Sequence, residues 1–152
     1  MRGGRADGRT GGISVVAFLA GLALVVALPG RLAAQSLPDL AIEARATLLR
    51  HDAPAFVGPG ERLMLRLPGA EPSAPLSRRQ AVALLAEFLE AAQEVDILVR
   101  VARELEPGLG YVELERRFRV AGTSEVQVQV VLLEFGRSAT SGRWVLREVR
   151  VV

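Results

Sequence analysis

His51 is the only histidine in the chain, and Asp52 follows it. An imidazole beside a carboxylate is a pairing used in general acid–base chemistry. Adjacent residues at a helix end seldom converge on one substrate atom, however, and no serine or cysteine nucleophile is placed with them. The pair reads as a polar helix terminus favoured by the helix dipole. Glu113 and Glu115 alternate along one strand face, roughly 6.5–7 Å apart by strand rise, which overlaps the carboxylate separations of glycosidases. Arg117 and Arg119 share that face, and alternating charge fits an exposed ladder of cross-strand pairs better. Gly58-Pro59-Gly60 has the glycines of a phosphate loop but neither the lysine nor the following helix, and its proline removes an amide donor. It reads as a turn.

Arg116 stands apart. It interrupts an apolar strand face of Val112, Leu114, Phe118 and Val120. A charge in that position must be paired, snorkel to water at an edge or bulge, or line a cavity. If the fold holds a pocket, Arg116 is a reasonable anchor for an anionic ligand. Phe118, Gln127 and Gln129 are the other candidate lining residues. Tyr111 joins them only if a bulge shifts the register, since alternation puts it on the opposite face. No catalytic, cofactor-binding or metal-ligating set emerges, and no cofactor is expected.

These residues need elements to hold them. The stretch from Glu94 to Val152 predicts four successive strands. Val95, Ile97, Val99 and Val101 share a face in the first, and the second runs from Tyr111 to Val120. The third, Glu125 to Phe135, is apolar on both faces over part of its length, with Val126, Val128, Val130 and Leu132 on one side and Gln127, Gln129, Val131, Leu133 and Phe135 on the other. In the fourth, Trp144 and Leu146 fall opposite Val145, Val149 and Val151. Short connections favour an antiparallel meander. Before it, Ser77 and Gln80 form a capping box, and Ala81, Leu84, Leu85 and Phe88 make a helical stripe over roughly Ser77 to Gln93. In this segment Arg78 and Arg79 at the start, and Glu87, Glu90 and Glu94 later, oppose the helix dipole, which suggests partners on the sheet or on another subunit. Upstream, Ser36 to Arg50 predicts a first helix, stopped by His51-Asp52-Ala53-Pro54. A turn-rich connector over Phe56 to Gly60 leads to a strand at Glu61 to Leu67 in which leucines alternate with Arg62, Met64 and Arg66.

All 19 basic residues are arginine. Residues 1–34 carry four of them against Asp7 alone, which leaves 15 Arg and 16 Asp plus Glu in 35–152, a net charge of −1. Such a domain has no electrostatic reason to bind nucleic acid. The absence of cysteine excludes disulfides, Cys-ligated zinc and a thiol nucleophile. At the N-terminus a Gly/Arg-rich segment precedes the apolar run Ile13 to Leu28, Pro29-Gly30 and the small residues Ala33-Ala34. This is the layout of a secretory signal peptide over residues 1–34, cleaved after Ala34 or, alternatively, after Ser36. The run spans roughly 24 Å as a helix, short of the ~30 Å hydrocarbon core. The expected fate is therefore export to the periplasm or medium with no stable membrane insertion after cleavage, rather than an uncleaved anchor.

The element order, with "RLMLRLPG" followed by "LSRRQAVALLAEFLE" and a close on "RWVLREVRVV", resembles the exported bacterial family named domain of unknown function 4783. The resemblance covers roughly residues 37–152. It implies the nuclear transport factor 2-like, cystatin-like fold, an α+β cone in which a strongly curved antiparallel sheet (one strand plus a four-strand meander) packs on two helices, with a pocket between them. The family brings no known active-site residues to transfer. The preferred function is non-catalytic binding of a small ligand or a protein partner. One alternative is a cavity enzyme of isomerase or dehydratase type using Arg116, Asp96 or Glu148. Another is a structural homodimer packed through the outer faces of the central strands.

Overall fold

The computed structural model describes residues 35–60, 62–72 and 74–152. The expected signal peptide over 1–34 lies outside the described residues. Helix α1 spans Leu37–Leu49. Ser36 caps it: its hydroxyl accepts from the Asp39 amide, and the Asp39 carboxylate accepts from the Ser36 amide. Leu37, Ala41, Ala44 and Leu48 form its buried face. Thr47, also buried, satisfies its hydroxyl on the carbonyls of Glu43 and Ala44. The helix ends at His51, which takes a left-handed φ of 54°.

The segment expected to be a stop and a connector is instead a short helix, α2, Ala53–Val57. Asp52 accepts from the Ala55 amide, and Pro54 sits in the first turn, where its missing N–H costs nothing. The Asp-x-Pro signal that ends α1 is therefore also a start signal. Phe56 and Val57 are buried by this turn.

Strand β1, Arg62–Arg66, buries Leu63 and Leu65. The two-residue β2, Leu76–Ser77, pairs with it and leads into α3, Arg78–Glu90. The capping box of Ser77 and Gln80 is present as expected. The buried stripe is Ala81, Leu85 and Leu89 rather than one centred on Leu84, which is 42% exposed. The helix is rotated toward Leu89, so Phe88 is half-buried at its margin.

Four long strands complete the sheet: β3 Ala92–Glu106, β4 Leu109–Val120, β5 Val126–Arg137 and β6 Trp144–Val151. The six-stranded order is β2-β1-β6-β5-β4-β3. The expected antiparallel meander holds for β3 to β6. The upstream strand departs from it: β1 lies parallel to β6, with Leu65 opposite Val149. A parallel neighbour needs a long crossover, and here α3 and the four strands β2 to β5 supply it.

Bulges bend the sheet around the helices and also move the faces. In β3 the pairings Glu94↔Phe118, Ile97↔Arg116, Val99↔Leu114 and Ala102↔Val112 leave Val95 and Arg100 as extra residues. The inward face therefore runs Glu94, Ile97, Val99, Ala102, not the simple alternation of four aliphatic residues. In β6 a bulge at Arg147 brings Trp144, Leu146, Val149 and Val151 to one buried face. Period-two reading had divided these four. The core joins Ile97, Val112, Leu114, Leu133 and Val149 of the sheet to Leu48, Leu85 and Leu89 of the helices.

Candidate functional site

Two polar features interrupt this apolar interior. The first is a closed cluster around Arg116. Alternation along β4 turns Arg116 inward, and the bulge at Val95 turns Glu94 inward to meet it. Their side chains are 1% and 4% exposed. Arg116 Nε donates to Glu94 Oε1 and Oε2 at 2.9 and 3.0 Å, and one terminal nitrogen donates to Gln129 Oε1 at 3.1 Å. The guanidinium carbon lies 4.9 Å from the ring centre of Phe88 and 4.4 Å from that of Phe118, so the cation is held between two aromatic faces. His51 approaches from the end of α1, with Nε2 3.4 Å from Glu94 Oε1 and a side chain 32% exposed. Its left-handed backbone places the imidazole there.

Of the three fates open to Arg116, it is paired. Phe118 stacks on it and Gln129 accepts from it. Gln127 faces inward opposite Phe118 but is exposed. Tyr111 lies on the outer face, where its hydroxyl donates to Glu113 at 3.2 Å. Burial, reinforced by the Glu113 carboxylate, raises that phenol above its ordinary 10.0. The other ionisable candidates are engaged away from the interior. Asp96 pairs with Arg45 beside the edge of β3, and Glu148 lies between Arg66 and Arg150. Glu115 pairs with Arg100. The Gly58-Pro59-Gly60 segment is a turn whose Gly58 carbonyl, with that of Pro54, accepts from Arg78. That contact supplies a partner for Arg78, and Arg116 supplies one for Glu94, which lies in β3 beyond the end of α3. Glu94 itself was absent from the expected lining, because simple alternation places it opposite Val95 and Ile97.

The second feature is an open groove of about 930 Å³ between α1, the α2–β1 connection and the β5–β6 turn. Phe56, Val57, Leu63, Phe135, Trp144 and Leu146 are among its buried apolar members. Arg62, Arg143 and Arg147 are exposed at its margin, with Thr140 and Ser141 of the β5–β6 turn. Among the described residues Glu43 is the one carboxylate that lines it, and it is bound by Gln35 Nε2 at 2.6 Å. Arg116, Phe118, Tyr111, Gln127 and Gln129 do not line this groove. The groove is not legible in the sequence because its walls come from four separated stretches, 35–47, 55–64, Pro75 and 135–147. Among the described residues, no three acidic or histidine side chains gather as a metal site.

No protein-family model matches the chain, and no curated protein does. Solved structures do. A ketosteroid isomerase-like protein from Erwinia carotovora aligns over 78% of this chain and 93% of its own, with a TM-score of 0.61 at 18% identity. A DUF4783 family protein from Bacteroides ovatus aligns over 72% and 90%, with a TM-score of 0.57 at 12% identity. The chain has the nuclear transport factor 2-like fold. A domain of unknown function with a cystatin-like fold from Nostoc punctiforme agrees, covering 74% of this chain and 72% of its own at a TM-score of 0.58 and 12% identity. The family resemblance read from the sequence thus meets its counterparts among these structures, and the cone it implies is the architecture described above. At such identities the likeness speaks for the fold alone.

Proposed function

We propose that this domain is an exported, non-catalytic binding module and that the groove is its site. The observation that carries this reading is the groove: its volume lies within the range of small-molecule sites, and a buried apolar base with a polar margin is the lining such sites use. The acid–base groups give it further support. Glu94 is tied to Arg116, and Asp96 and Glu148 are tied to arginines outside the groove. Export rests on the N-terminal layout of residues 1–34. The test uses Trp144, the only tryptophan and a groove residue. Titration of the exported protein with small apolar probes should shift Trp144 emission saturably. Emission unmoved by every probe sinks the binding reading, and an N-terminus still at Met1 by mass spectrometry sinks cleavage.

A second reading, that the domain also pairs with itself, has its own observation. On the outer face of the sheet Val126 and Val128 are 37% and 59% exposed. Beside them the β4 row runs from Glu113 and Glu115 at one end to Arg117 and Arg119 at the other. Back-to-back packing about a two-fold axis crossing the strands sets the acidic end of one copy over the basic end of the other, with valines between. Sedimentation should give a dimer that Val128→Asp converts to a monomer. A wild-type monomer at high protein concentration removes this reading and leaves the groove untouched.

A further inference from the structure

Export leaves the first residue of the mature domain open between two cuts, after Ala34 or after Ser36, and the start of α1 separates them. Ser36 is the N-cap of that helix. Its hydroxyl accepts from the Asp39 amide, and its own amide donates to the Asp39 carboxylate. A cut after Ser36 removes this cap and puts a new ammonium on Leu37, the first helical residue, at the positive end of the helix dipole. A cut after Ala34 keeps both bonds and leaves one residue in front of the cap. That residue is Gln35. It is exposed and lies outside any helix or strand, next to an N-cap whose backbone is extended, with φ −82° and ψ 160°.

A glutamine with a free α-amine carries its own electrophile. The uncharged amine attacks Cδ of the same side chain, and the new bond closes a lactam ring. The Cδ–Nε2 bond breaks, the proton shed by the α-nitrogen goes to Nε2, and ammonia leaves. Nothing is oxidised or reduced, and no co-reactant is consumed. The Gln35 amide is available for this step. Its Nε2 donates to Glu43 Oε2 at 2.6 Å, and both residues are exposed, so that bond exchanges with bonds to water.

We propose that Gln35 is a modification site: release of the domain by a cut after Ala34 is followed by cyclisation of Gln35 to pyroglutamate. The ring has no Nε2, so Glu43 loses that donor, and the terminal ammonium disappears. Both residues line the groove, so the change alters the charge of one of its walls. This rests on the export reading and is independent of what the groove binds.

The test is to express the full chain in an exporting bacterial host and read the N-terminus of the recovered protein. Intact mass should equal residues 35–152 less one ammonia, and amine-directed sequencing should find the terminus blocked. Gln35→Ala should be cut at the same bond, give a readable terminus, and elute from a cation exchanger later than the wild type at neutral pH, because it keeps the ammonium. A wild-type terminus at Gln35 that stays readable after prolonged incubation at growth temperature overturns cyclisation and keeps export. A terminus at Leu37 overturns the cut after Ala34 and keeps export. A terminus at Met1 overturns export and the modification with it. A blocked terminus in Gln35→Ala assigns the block to some other group and overturns the role of Gln35. The mass and sequencing arms use the unmutated chain, so a variant that fails to fold does not protect the claim.

Discussion

Glu94 and Arg116 form the least replaceable contact in the domain, and the structure sets its size. Both side chains are almost fully withdrawn from water. Arg116 spends its donors on Glu94 and Gln129, and its faces on Phe88 and Phe118. Removing one partner leaves the other charge buried without compensation, which costs about 3–5 kcal/mol. A domain of this size is stable by roughly 5–15 kcal/mol, so either Glu94→Gln or Arg116→Met should consume about a fifth or more of the total. Removing both charges is a different perturbation. In Glu94→Leu with Arg116→Met no charge remains to be desolvated, and the thioether takes the place between the rings, a contact of about 0.3–1.5 kcal/mol. The double variant should be more stable than either charge-deleted single. The assay is urea unfolding followed by Trp144 emission, with the slope checked for constancy so that midpoints report stability alone. Single variants that lose under about 1 kcal/mol, the range of an exposed pair, would refute the reasoning, because water would then be reaching the cluster. A double variant that loses the sum of its singles would refute it too, since contacting charges must couple.

Gly110 faces inward, and a Cβ there would stand 2.4 Å from Leu37 Cδ2; Gly110→Val should push the start of α1 off the sheet and lower stability by about 1–3 kcal/mol in thermal melts. Tyr111 is the only tyrosine, so phenolate absorbance reports it alone: its midpoint should lie above 10.0 in the folded protein and fall back toward 10.0 in concentrated urea. The neutral phenol is the form favoured by folding, so this contribution is complete below pH 10 and is lost as pH rises through the folded value; equal midpoints in both states would contradict the burial of the ring against Glu113. In α3, Arg78→Glu should destabilise by about 1–3 kcal/mol, because it removes charge-assisted bonds to the Gly58 and Pro54 carbonyls. Arg79→Glu, a first-turn position with no such bond, should be neutral or stabilising by about 0.3–1 kcal/mol through the helix dipole, and equal melting shifts for the two variants would show that the carbonyl contacts carry nothing.

Much of the architecture is legible along the chain because it is local. A capping serine with an acceptor three residues on announces both long helices, and alternation identifies β4 and β5 with the correct inward faces. What escapes is what bulges do. One extra residue at Val95 sends Glu94 to the face of Ile97, and one at Arg147 reunites Trp144 with Val149. A bulge is decided by what the neighbouring strand presents, so a single strand read alone cannot place it. Pro54 misleads for a related reason: a proline stops the helix behind it and starts the one it opens, and only the Asp52 cap distinguishes the two. The parallel pairing of β1 with β6 is non-local in the strictest sense, since its partner is the last strand of the chain. Of the candidate site, the inward direction of Arg116 was legible and its partner was not.

The distance between the two polar features is what lets their roles be separated. Gln129 belongs to the cluster and Phe135 to the groove, and both lie on the inner face of β5. Six residues of strand put them roughly 20 Å apart. Sites that far apart with no shared partner respond additively. Glu94→Gln should therefore lower the urea midpoint while leaving the affinity of the groove for small apolar probes, read by Trp144 emission, unchanged at concentrations where the variant is folded. If Glu94→Gln instead shifts the affinity as strongly as it shifts stability, the cone holds one continuous site, and the ion pair belongs to ligand recognition rather than to the closing of its far end.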